Sequence, residues 1–71
     1  MTRLQKGVKA TVLSLATDSA HERGKLMALG VMPGAVLQLL QRFPAYVIQL
    51  GYTQLAIDKE TAASIVVVRN E

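Results

Sequence analysis

The alternation of apolar and polar residues near the amino end predicts a β-strand. In the segment "VKATVLSL", Val8, Ala10 and Val12 recur at every second position, with Lys9 and Thr11 between them. Successive side chains of a strand point to opposite faces, so the three apolar residues share one face. We expect that face to be buried.

The spacing changes to that of a short helix in "TDSAHERGKLMALG". Ser19 and Glu22 have the S-x-x-E spacing of a capping box, in which each side chain accepts a hydrogen bond from the backbone amide of the other residue. Leu26 and Leu29 lie one turn apart and predict a narrow apolar stripe. Gly30 follows directly and can adopt the positive φ that ends a helix.

A sharp corner leads from this helix into a second strand within "ALGVMPGAVLQLL". Pro33 and Gly34 predict a turn, because proline has a fixed φ and glycine accepts a positive one. The strand that follows places Leu37 and Leu39 on its inward face. Val36 must then face outward, so an apolar residue is left on the other face of the same strand.

Two more strands follow the same alternation. After the short reversal "RFPAY", Tyr46, Ile48 and Leu50 define the third strand, and we expect all three to face the core. A turn at "GY" leads into "TQLAI", where Leu55 and Ile57 are the inward pair of the fourth strand.

A helical turn and a last strand complete the predicted fold. Asp58 can cap the turn "KETAAS", and "IVVVR" reads as the fifth strand. Five short strands, with one short helix after the first and a helical turn before the last, are typical of a small SH3-like β-barrel in the all-β class. We expect one domain over residues 1–71.

Composition limits what such a fold can do. The chain has 71 residues, 51% of them hydrophobic, with a net charge of +3 and no cysteine. A protein of this size buries only about 60% of its unfolded surface and has little core to spare for an active site. The lack of cysteine excludes disulfides and fits a reducing cytoplasm.

We find no signal-peptide pattern at the amino end. Glycine and proline interrupt the apolar stretch 26–40, so no membrane span is predicted.

Candidate catalytic and metal-binding residues are few. "HERGK" begins like the H-E-x-x-H motif of zinc proteases, but Lys25 stands where the second histidine would be. His21, with Asp18 and Glu22 beside it, is a weak candidate for binding a transition metal; a solvated histidine in the first turn of a helix is the ordinary interpretation. Neither a nucleophile nor an oxyanion donor set is present, so we predict no catalytic residue, no cofactor and no enzyme activity.

Two longer segments resemble a known family. "KLMALGVMPGAVLQLL" resembles the signature of the FeoA family, and "GYTQLAIDKETAASIVV" resembles its closing pattern. Together they cover nearly the whole chain and imply an SH3-like barrel. The residues that carry the signature are structural ones, namely Leu26, Leu29, Gly30, Pro33 and Gly34.

The resemblance implies a non-catalytic, cytoplasmic accessory protein of ferrous iron uptake. It also implies that this protein docks on the cytosolic part of FeoB, the membrane transporter, and lies at the inner membrane through it. The turn "RFPAY" is shorter than the corresponding loop of many members, so no contact is carried over to it. We expect the partner to contact the exposed side of the helix and the corner after it, at Lys25, Met27, Ala28, Val31 and Met32.

Three alternatives stay open. A small barrel can bind nucleic acid by stacking bases on rings such as Phe43 and Tyr52, but Tyr46 is in phase with the core and the basic residues are scattered. A related barrel forms the carboxyl end of DtxR-type repressors, so a stand-alone metal-sensing domain is the second alternative. The third is self-association into a homo-oligomer through the apolar residues left outside.

Overall fold

The computed structural model describes residues 1–70, which form a five-stranded antiparallel sheet and two short helices. The elements are β1 (Lys9–Leu15), α1 (Ala20–Ala28), β2 (Val36–Gln41), β3 (Tyr46–Leu50), β4 (Thr53–Ile57), α2 (Lys59–Ser64) and β5 (Ile65–Arg69). The predicted order of five strands, with one helix after the first and a helical turn before the last, is confirmed.

The strand order of the sheet is β4-β3-β2-β1-β5, so the first strand lies between the second and the last. β3 and β4 form a hairpin around Gly51 and Tyr52. Gly51 has a φ of +59°, as a two-residue turn with glycine at its first central position requires. The pairing of β1 with β5 shifts register between Val12 and Ser14, and Leu13 at this shift is exposed.

The core is built from the inward faces of the strands, as the alternation predicts. Tyr46 is buried with the aliphatic residues, which confirms that it belongs to the core. One residue of each helix, Leu26 and Ala62, is also buried. The remaining buried residues are Leu4, Ala10, Val12, Val31, Leu37, Leu39, Ile48 and Ile65.

The segment before β1 contributes to the core and ties distant parts of the chain together. Leu4 is buried, and the amide of Gly7 donates to the carbonyl oxygen of Leu39 at 2.6 Å. The amino group of Met1 donates to the carbonyl oxygen of Ile65 at 2.7 Å, and its partial burial lowers its pKa. The sequence pattern does not predict this role for the segment.

Only one half of the predicted capping box is present. The Ser19 hydroxyl accepts from the amide of Glu22 at 3.1 Å, which confirms Ser19 as the N-cap of α1. The reciprocal hydrogen bond, from the amide of Ser19 to the carboxylate of Glu22, is not formed among the described residues. The amide of Ser19 donates to the Thr17 hydroxyl instead, at 3.2 Å. The Glu22 carboxylate instead accepts from the hydroxyl of Thr61 in α2, at 3.4 Å.

The corner after α1 corrects two predictions. The amide of Gly30 donates a hydrogen bond to the carbonyl oxygen of Met27 at 3.0 Å, and the amide of Val31 donates one to the carbonyl oxygen of Leu26 at 2.9 Å. These two hydrogen bonds together define a Schellman motif. That motif brings Val31 against Leu26 and buries it completely. The expectation that Val31 lies on an exposed corner is therefore wrong. Leu29, expected in the inward stripe, is the C-cap residue and is 44% exposed.

Candidate partner-binding cleft

A hollow of about 750 Å³ lies between the two helices. We call it the helix cleft. Its lining comes from the loop before α1, one flank of α1, the carboxyl end of β4, and α2. It includes Asp18, His21, Lys25, Leu29, Ile57 and Glu60.

The flank of α1 that faces the helix cleft carries a row of three side chains. His21, Lys25 and Leu29 are spaced four residues apart, so at about 100° per residue they follow one another along the helix. All three line the cleft. The buried Leu26 and the half-exposed Leu29 give the cleft an apolar floor beside a basic side chain.

The other wall is formed by the start of α2. Asp58 is its N-cap, and its carboxylate accepts from the amide of Thr61 at 2.7 Å. This hydrogen bond holds the pKa of Asp58 below its ordinary value, because the bond favours the ionised form. The Thr61 hydroxyl also donates to Glu22 across the cleft. Thr61 therefore links the two helices.

Carboxylates concentrate in this cleft because both helices begin there. Glu22 and Glu60 lie in the first turns of α1 and α2, where a negative charge stabilises a helix through its dipole. Asp18 precedes the N-cap of α1, and Asp58 is the N-cap of α2. The preference for acidic residues at a helix start accounts for the carboxylates of each helix separately. Only the tertiary fold brings the amino ends of α1 and α2 together.

The five residues expected to contact a partner do not form one surface. Lys25 lines the helix cleft, whereas Met27 lies about 200° further around α1, on its other flank. Ala28 and Met32 are exposed, and Val31 is buried. Lys25 is therefore separated from Met27, and Val31 cannot offer its side chain to a partner.

A second apolar surface lies on the outer face of the sheet. Thr11 stands opposite Val36 on β2 and opposite Val68 on β5, and residues directly opposite share a face. Both valines are about half exposed, as is Leu13. The outward position predicted for Val36 is confirmed. We refer to this surface as the sheet patch.

The aromatic residues do not form a stacking platform. Phe43 and Tyr52 are fully exposed but lie in the turns at opposite ends of β3. At about 3.3 Å per residue the five residues of β3 separate these turns by roughly 17 Å. Tyr46 is in the core. The geometry thus gives no support to the stacking expected of a nucleic-acid-binding barrel.

Within residues 1–70, no three histidine, aspartate or glutamate side chains are grouped so that they could hold a metal ion. His21, the weak metal candidate, lines the helix cleft without belonging to such a group in the described chain. Among the same residues no helix is long and apolar enough to cross a membrane.

The known proteins that match this chain include a protein family and solved structures of the same fold. A family model described as FeoA domain matches residues 1–69. A crystal structure of the iron uptake regulatory protein FeoA is 28% identical, with a TM-score of 0.86, and the match covers 97% of this chain and 92% of that one. FeoA of Stenotrophomonas maltophilia, described as an SH3 domain protein and solved with zinc, is 23% identical, with a TM-score of 0.82, over 94% and 86% of the two chains.

A longer protein, IdeR, shares the fold as well. IdeR of T. acidophilum is 16% identical with a TM-score of 0.90, and the match covers 99% of this chain but only 33% of IdeR. At this identity the similarity shows the fold alone. No match is found among curated protein sequences.

Proposed function

The chain belongs to the FeoA family, and on that premise we propose that it is a non-catalytic accessory protein of ferrous iron uptake that docks on the cytosolic part of a FeoB-type transporter. The family is associated with ferrous iron transport. This role places the chain in the cytoplasm, at the inner membrane through the transporter. The fold also supports a binding role, because 71 residues leave little core for an active site.

The observation that carries the docking proposal is the helix cleft. It is concave, and the side chain of Leu29 in its floor is 44% exposed. A concave site in which an apolar side chain lies among converging polar groups is typical of a binding site. We assign Lys25 to the rim of this docking site. Met27, Ala28 and Met32 are exposed but lie outside the cleft, so we assign them to a second contact, separate from that of Lys25.

The test is a titration of the purified chain with the cytosolic domain of a FeoB-type transporter from the same organism. NMR reports the residues involved, and calorimetry reports the affinity, with guanine nucleotide present and absent. We expect saturable binding with amide shifts concentrated around the helix cleft and the corner at residues 30–33.

Absence of binding in every nucleotide state, to the isolated domain and to the whole transporter in membranes, would contradict the proposal. Binding to DNA or RNA that weakens about 10³-fold or more between low and moderate salt would favour the nucleic-acid alternative instead.

A further inference from the structure

The charges of this chain are unevenly distributed. All four carboxylate side chains within residues 1–70 line the helix cleft, namely Asp18, Glu22, Asp58 and Glu60. Lys25 is the one lysine or arginine among the described residues of that lining. The chain as a whole carries a net charge of +3. The cleft is therefore a negative site on a positive molecule, and such a local field selects partners by charge.

The apolar floor lies among these carboxylates. Leu29 is half exposed, Ile57 is partly buried, and both line the same cleft. An aliphatic side chain that covered them would remove apolar surface from water, which favours association. The cleft thus offers two features together, a negative rim and a leucine-sized apolar contact.

Two of the four carboxylates are already engaged within the fold. Glu22 and Asp58 accept hydrogen bonds from the hydroxyl and the amide of Thr61. Asp18 and Glu60 also line the cleft and are exposed. Since Thr61 does not engage them, these two are open to a basic group of a partner.

We propose that the helix cleft receives a segment of the partner that carries lysine or arginine beside a leucine-like side chain. The basic group pairs with Asp18 and Glu60, and the aliphatic group covers Leu29. The inference rests on the proposed function, since it names the chemistry of the segment with which the transporter fills this site. Charge complementarity of this kind acts mainly on the association rate and on partner choice.

The charge distribution disfavours other occupants. Nucleic acid and acidic peptides would be repelled by the cleft at neutral pH. A divalent cation lacks a set of three ligands among the described residues. A basic, leucine-bearing segment matches both the rim and the floor.

The test compares a cleft variant with a control of equal net charge. The cleft variant is Asp18→Asn with Glu60→Gln, and the control is Gln5→Lys with Gln54→Lys, at exposed positions outside the cleft. Both pairs raise the net charge by the same amount. The cytosolic domain of the transporter is titrated into each at low and high salt, on the order of 50 and 500 mM.

We expect the cleft variant to bind about fivefold or more weakly than wild type at low salt, and the difference to shrink at high salt. The control should stay within about twofold of wild type. Leu29→Ser should weaken binding at both salt concentrations, since it removes the apolar contact. Equal affinities of the cleft variant and the control would overturn the inference while leaving the docking function intact.

A second measurement separates the chemistry of the cleft from the identity of the partner. A short synthetic peptide of alternating leucine and lysine is titrated into the wild-type chain, alongside its counterpart with glutamate in place of lysine. We expect amide shifts at Leu29 and Glu60 with the first peptide and none with the second. Equal shifts from both peptides would overturn the inference, whereas failure of the wild-type chain to bind the transporter would overturn the proposed function.

Discussion

Two glycines at the corner between α1 and β2 have backbone angles that other residues avoid. Gly30 and Gly34 have φ values of +99° and +93°. Apart from the glycine and its two neighbours in the chain, no residue has a heavy atom within 4 Å of the position that a Cβ would take at either glycine. The requirement for glycine therefore comes from the backbone angle and not from crowding.

Replacing Gly34 by valine should lower the free energy of unfolding by about 1 kcal/mol or more, because a β-branched residue is strained at positive φ. Thermal unfolding followed by circular dichroism measures the effect. A melting temperature equal to that of wild type would show that the turn adopts another conformation when substituted.

Gly24 provides the matched control. It lies inside α1 with a helical backbone, and a Cβ there would also meet open space. Gly24→Ala should raise the free energy of unfolding by about 0.5 to 1 kcal/mol, because alanine is the better helix former. The two glycine substitutions should thus shift the melting temperature in opposite directions.

Val31 and Val36 give a second prediction at the same scale. Val31 is completely buried in the Schellman motif, whereas Val36 is half exposed on the sheet patch. Val31→Ala should lower the free energy of unfolding by about 2 kcal/mol through lost burial and the cavity left behind. Val36→Ala should cost less than about 1 kcal/mol. Chemical denaturation measures both, and equal losses would contradict the burial of Val31.

At the scale of elements, α2 depends on the capping of its first turn. The helix has only six residues, too few to be stable from helix propensity alone. Asp58 holds its start through the amide of Thr61, and the Thr61 hydroxyl holds it against α1. A change at Asp58 therefore acts on both walls of the helix cleft.

This cap makes stability depend on pH in a definite direction. The pKa of Asp58 is lowered from an ordinary value of 3.8, so folding favours the ionised carboxylate. The ionised carboxylate therefore contributes to the free energy of unfolding above pH 3.8, and this contribution is lost as the pH falls through the pKa of the folded state. Asp58→Ala should lower the melting temperature at neutral pH, and the difference from wild type should narrow below about pH 4.

Asp58→Asn serves as the control, since its amide oxygen can still accept the bond but does not titrate. It should retain part of the stability that Asp58→Ala loses. A constant difference between wild type and Asp58→Ala from neutral to acid pH would contradict the assignment.

At the scale of the whole molecule, the segment before β1 holds the ends of the fold together. It places Leu4 in the core and links Met1 to Ile65 and Gly7 to Leu39. Leu4→Ala should lower the free energy of unfolding by about 2 to 4 kcal/mol, measured by chemical denaturation. Leu13→Ala, at an exposed leucine, should change it far less. Similar losses from the two leucines would show that the segment is not part of the core.

A feature of this fold can be predicted from the sequence when it depends on residues that are close together in the chain. Alternation and turn chemistry correctly predict all five strands, the burial of Tyr46 and the positive φ of Gly34, because these depend on neighbouring residues. No pattern predicts the burial of Leu4, since a lone leucine among polar residues has no period. The pattern does not predict the burial of Val31, because the Schellman contact, rather than helical spacing, decides it.

The candidate site is less predictable for the same reason. Capping rules predict acidic residues at the start of each helix, but the meeting of Glu22 with Thr61 joins residues 39 positions apart. The helical pattern correctly predicts that Lys25 is exposed on α1. Its neighbours in the cleft come from β4 and α2, and no local pattern indicates them.

The position of β1 between β2 and β5 has a consequence for how the chain emerges from the ribosome. β1 ends at Leu15 and β5 ends at Arg69, so at about 5 to 20 residues per second roughly 3 to 11 seconds of synthesis separate them. During that interval the edge of β1 that pairs with β5 in the folded sheet remains unpaired. The sheet is therefore completed only after β5 has been synthesised, however early the other strands pair.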